Sequence, residues 1–112
     1  MKLDAYTVVL LKRPESAPSL SDEELVMLQR QHVAFNARMR EEGKAVVTGP
    51  FRGQPDPALR GINLFRTSVE ETRDLMSQDP LVRAGRLEVD IFSWLMPPGL
   101  LGDRPAAQIT EE

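Results

Sequence analysis

Apolar and polar positions change period several times along the chain. In "AYTVVLLKR" (5–13), Tyr6, Val8 and Leu10 fall on one side of an extended backbone and Val9 and Leu11 on the other. β-Branched and aromatic residues dominate the run and Pro14 closes it, which predicts a strand. The segment "PESAPS" reads as a Pro/Ser loop. From there the period lengthens. Leu25, Leu28, His32, Phe35 and Met39 step by threes and fours, the stripe of a helix packed on one side. Ser21 and Glu24 form a capping box, Leu20 and Leu25 a hydrophobic staple, and Gly43 suits the position past the C-cap. The helix is expected over Asp22 to Glu42, roughly 30 Å at 1.5 Å per residue.

The remaining elements follow the same logic. "KAVVTGPF" (44–51) predicts a second strand, "RGQPDP" (52–57) a loop, and "LRGINLFRT" (59–67) a third strand paired with the second. Ser68 and Glu71 repeat the capping box before a short helix to about Gln78. In "RLEVDIFSWLM" (86–96), Leu87, Val89, Ile91 and Leu95 share one face, and "PPG" stops the strand. The order β-α-β-β-α-β is the α+β ferredoxin-like arrangement: a four-stranded antiparallel sheet with two helices on one face. One domain is expected over 1–98, with 99–112 as a C-terminal surface tail.

Strands 1 and 4 are apolar on both sides, strand 4 adding Phe92, Trp94 and Met96 opposite its main row. A strand apolar on both sides is covered on both sides. The two helices cover one, so a homodimer joined sheet to sheet is expected.

Composition narrows the function. A chain of 112 residues with 41% apolar and 28% charged content is ordinary for one globular domain. The 14 basic and 17 acidic residues leave a net charge of -3 without a Lys/Arg run, which disfavours a nucleic-acid partner. Cysteine is absent, excluding disulfides and thiolate zinc sites. Asp4 interrupts the start and "VVLL" is too short for the apolar region of a leader, while no run approaches the ~20 apolar residues of a membrane span. A cytoplasmic protein without membrane attachment is expected.

His32, the chain's one histidine, occupies the middle of the apolar stripe of the first helix. An inward histidine needs a hydrogen-bond partner or incurs a desolvation cost of a few kcal/mol. On the helix alone, the commoner role is a core histidine satisfied by a backbone carbonyl. Leu28 and Asn36 stand at i±4, so no carboxylate assists metal ligation, and neither a metal nor a cofactor is expected. In "SQDPLVRAG" (77–85), Asp79 caps a short turn, Pro80 takes its first position and Gly85 ends it. The cap leaves a second carboxylate oxygen for another donor.

Together, "RQHVAF", "VVTGPF" and "SQDPLVRAGRLEVDI" resemble the YCII-related (YciI-like) family, which shows an inward His, a Gly-Pro after strand 2 and an Asp-Pro with a following Ala-Gly before strand 4. The resemblance runs over about residues 5–96, with "LRGINLF" fitting the third strand. It implies a dimeric α+β barrel and a site centred on His32 and Asp79. Relatives resembling muconolactone isomerase and chloromuconolactone dehalogenase act on small lactones.

With the resemblance added, His32 is weighted as a catalytic residue rather than a filler. A carboxylate at one imidazole nitrogen fixes the tautomer and leaves the other for general acid–base work. No Ser or Cys nucleophile is identifiable, so proton abstraction, elimination or isomerisation of a small anionic molecule is favoured over acyl transfer. Lys12, Arg13, Arg60 and Arg66 are candidate counter-charges, and Gly49 with Pro50 would shape the backbone beside the pocket. Arg13, Gly49, Pro50 and Arg60 are taken as substrate-binding. Tyr6 and Trp94 could line the cavity, although core packing or dimer contact is the commoner fate. The alternative is a non-catalytic ligand-binding or assembly module in which His32 and Asp79 make a buried structural contact. A cavity bordered by His32 with one ring nitrogen free favours the enzyme; a ring bonded at both nitrogens within a dry core favours the module.

Overall fold

The computed structural model describes residues 1–111. Its elements are β1 (Lys2–Lys12), α1 (Asp22–Glu41), β2 (Ala45–Pro50), β3 (Leu59–Phe65), α2 (Val69–Met76), α3 (Pro80–Arg83), β4 (Glu88–Met96) and β5 (Ala107–Thr110). The sheet order is β2-β3-β1-β4 with every pairing antiparallel, the ferredoxin-like topology expected from the element order. The helices pack on one face of it.

Local chemistry sets the helix ends. Ser21 accepts from the Glu24 N–H while the Glu24 carboxylate accepts from the Ser21 N–H, a complete capping box. Beyond Glu42, Gly43 takes φ 74°, a left-handed turn that suits glycine. Ser68 accepts from Glu71 N–H at 3.1 Å and opens α2.

The alternation of β1 splits the apolar residues between two clusters. Val9 and Leu11 join Phe35 and Met39 of α1, Leu75 and Met76 of α2 and Phe65 of β3 in the core beneath the helices. Tyr6 and Val8 lie on the outer face with Leu64 and Met96. On that outer side Phe92, Trp94 and Val47 remain 48%, 52% and 54% exposed, an apolar surface left open by this chain.

The sheet has five strands rather than the four expected. β1 starts at Lys2, and β3 pairs with it only from Thr7 onward, so the stretch 2–5 has a free edge. β5 fills that edge, with Leu3 opposite Ile109 and Ala5 opposite Ala107. Buried Asp4 secures the connection, accepting from Gly99 N–H at 2.8 Å and from Gln108 Nε2 at 3.1 Å. The segment 99–112, expected as a surface tail, contains this strand, and the side chains of β5 stay exposed.

Candidate functional site

Asp79 reaches its position through local sequence. It is the N-cap of α3, with Pro80 in the first turn, and its Oδ1 accepts from Leu81 N–H at 2.9 Å. The carboxylate is fully buried and faces α1. There His32 Nδ1 lies 2.7 Å from Oδ2 and 3.0 Å from Oδ1. A carboxylate only accepts, so Nδ1 carries the hydrogen and donates it.

The other ring nitrogen then accepts. Asn36, one helical turn further along α1, donates from Nδ2 to His32 Nε2 at 3.3 Å. Asn36 Oδ1 in turn accepts from Asn63 Nδ2, on the core side of β3, at 3.4 Å. Donation thus runs in one direction, Asn63 to Asn36 to His32 to Asp79. At its start, buried Asn63 Oδ1 has no hydrogen-bond partner among the described residues. Both Asn36–His32 and Asn63–Asn36 are long and therefore weak bonds.

His32 is not sealed off: its side chain is 12% exposed and borders a cavity of about 200 Å³. Arg13, Gly49, Pro50 and Arg60 line the same cavity. Gly49 and Pro50 come close because Gly61, opposite them on β3, has no side chain. A Cβ at Gly61 would sit 2.6 Å from the Gly49 carbonyl oxygen. The other residues weighed from sequence lie elsewhere. Lys12 pairs with Asp90 at 2.7 Å, which raises its pKa above the ordinary lysine value. Arg66 donates to the Ala45 carbonyl at 3.3 Å. Tyr6 and Trp94, neighbours across β1 and β4, belong to the outer face of the sheet.

Arg13 has a lowered pKa, first because of desolvation and then through the charges of Arg60 and Arg86. The cavity is therefore cationic, suited to an anion. Among the described residues no group of three or more His, Asp or Glu is arranged to hold a metal ion.

Gln29, Asn36 and Asn63 also line the cavity and were not singled out from the sequence as functional. Asn36 was within reach of such reasoning, since i+4 from His32 is the same helix face. Asn63 offered a subtler sign, a lone amide within the apolar run "GINLF".

The arrangement is that of an α+β, ferredoxin-like protein with a His-bordered cavity between α1 and the sheet. The solved structure of 5-chloro-2-hydroxyhydroquinone dehydrochlorinase (TftG) from Burkholderia phenoliruptrix, in complex with 2,5-dihydroxybenzoquinone, shares this fold. It matches with a TM-score of 0.59 and 16% identity, over 80% of this chain and 92% of that one. No protein-family model matches the sequence, and no curated protein is significantly similar to it.

Proposed function

We propose that this chain is a YciI-like protein acting as a small acid–base enzyme of lyase, isomerase or dehalogenase type on a small anionic molecule. The observation that carries this reading is the pinning of His32 by a fully buried carboxylate at the border of a cavity that also holds Arg13 and Arg60. The similarity in fold to a dehydrochlorinase supports a small-molecule enzyme.

In this reading Asp79 holds the Nδ1–H tautomer and favours the imidazolium formed when Nε2 takes a proton. The bound molecule displaces Asn36, whose 3.3 Å bond to Nε2 is weak enough to exchange. His32 removes a proton from carbon. The electron pair left behind either expels a leaving group such as chloride, forming a C=C bond, or accepts the proton again at another carbon to give an isomer. Arg13 and Arg60 hold the anionic group, with Gly49 and Pro50 as the wall. The protein works as a cytoplasmic homodimer joined through the outer sheet face, without a cofactor. Residues 1–98 form the YciI-like unit, to which 99–112 adds an edge strand.

A second reading, a ligand-binding module without chemistry, is favoured by the Asn36 bond, because His32 then has a partner at both nitrogens. Chlorinated hydroxyquinols and unsaturated lactone acids, incubated with the protein in D2O and followed by proton NMR and chloride release, distinguish the two. Elimination or carbon–hydrogen exchange that disappears in a folded His32→Gln variant is the result expected. Binding without either reaction, or turnover unchanged in His32→Gln, overturns the enzymatic reading.

A further inference from the structure

The cavity at His32 adjoins a second hollow. This outer lobe, about 390 Å³ in volume, shares Arg13, Gln29, Leu81 and Leu87 with the inner one. To these it adds Arg30 and Arg86 together with the apolar Leu25 and Val26. The two adjoining lobes are together termed the cleft, with His32 in its inner part and Arg13 at the junction.

Its charge is one-sided. Among the described residues neither lobe is lined by an Asp or Glu, and Arg13, Arg30, Arg60 and Arg86 form no ion pair. Composition does not account for this, since the whole chain carries a net charge of -3. Gathering guanidiniums costs electrostatic energy, and that cost is relieved by an anion. The donors are available: Arg60 gives one N–H to the Pro57 carbonyl at 3.2 Å and Arg86 one to the Pro18 carbonyl at 2.9 Å. Those two bonds orient each fork and leave most of its donors open. A monoanion in the inner lobe leaves the outer pair unmatched.

We propose that the cleft takes an elongated dianion, one anionic group at Arg13 and Arg60 in the inner lobe and the second at Arg30 and Arg86 in the outer lobe. The apolar connection between the two groups lies on Leu81 and Leu87. The inference rests on the reading of this cleft as a ligand site and does not depend on His32 performing chemistry.

Titration calorimetry at low ionic strength tests it, using straight-chain α,ω-dicarboxylates of increasing length and their monomethyl esters with the full chain. At the length that spans the lobes, the diacid should bind roughly tenfold or more tightly than its monoester, the worth of one good charge-assisted contact. Arg30→Gln combined with Arg86→Gln should bring the two to parity while leaving the monoester affinity unchanged. Arg86→Lys, which keeps the charge, should retain most of the preference. Equal affinities in the parent protein, a preference surviving the double substitution, or no diacid binding at millimolar concentration overturns the proposal. The preference should persist in His32→Gln. A protein that keeps it but shows no His32-dependent turnover loses only the acid–base reading, and the converse result removes only the dianion.

Discussion

His32 Nδ1 and Asp79 Oδ2 meet at 2.7 Å across a sequence separation of 47 residues, the carboxylate wholly buried and the ring at the edge of a cavity. The same carboxylate caps α3 through Leu81 N–H. One side chain therefore fixes a helix end and the orientation of the imidazole.

That double duty makes Asp79→Asn informative. The amide oxygen can keep the cap, which turns the NH2 group toward Nδ1 and forces the hydrogen onto Nε2. Turnover should fall by roughly 10²–10⁴. Long-range proton–nitrogen NMR of the single imidazole should report the exchanged tautomer, and an Nδ1–H ring in the variant would refute the orientation argued for the pair. Asp79→Ala also loses the cap and should cost about 2–4 kcal/mol in urea unfolding.

Asn63 combines a weak bond to Asn36 with an oxygen that has no partner among the described residues. Replacing it with Leu, similar in size and without polar atoms, should change stability by no more than ~1 kcal/mol. Ligand affinity and the Nε2 environment of His32 should both change. A large loss of stability with unaltered binding would show that Asn63 is a structural residue only.

Arg13 is held below its ordinary pKa by desolvation and by Arg60 and Arg86, so folding disfavours its charge. It stays protonated throughout the usual working range, and the penalty is present at every such pH. Arg13→Gln should therefore leave the melting temperature equal or slightly raised while weakening anion binding, the trade expected at a functional site. A clear drop in melting temperature with intact binding would contradict this.

Phe92 and Trp94 stand about half exposed beside buried Val8 and Tyr6, their cross-strand neighbours. Charged replacements, Phe92→Asp with Trp94→Lys, should yield a monomer by light scattering, since the change falls in the proposed interface. A monodisperse monomer of the parent protein at micromolar concentration would remove the dimer.

Gly61 permits the close approach of β2 beside the cavity, with a Cβ there only 2.6 Å from a backbone oxygen. Gly61→Ala should destabilise by about 1–3 kcal/mol through overpacking, measured by denaturant unfolding. Gly49→Ala, where a Cβ would meet nothing within 4 Å, should be far milder.

What the sequence by itself determined lies within a few residues of each feature. The Ser21–Glu24 box, the Asp79–Pro80 cap and the stripe from Leu25 to Met39 are short-range patterns, and each produces the element it predicts. The inward direction of His32 follows from that stripe, and the ferredoxin-like order from the sequence of elements. Tertiary structure decided the rest, because it depends on partners remote in the chain. The alternation in "AQIT" spans only four residues, too few to announce a strand; β5 forms because the free edge of β1 at Lys2–Ala5 supplies backbone partners and Asp4 anchors its approach. Asn63 meets Asn36 only when β3 packs beneath α1. The arginines gather around one cleft although they come from separated segments, Arg13 after β1, Arg30 on α1, Arg60 on β3 and Arg86 before β4. Periodicity records which side of an element is apolar; it carries no record of which polar side chains on different elements will face one another once those sides are buried.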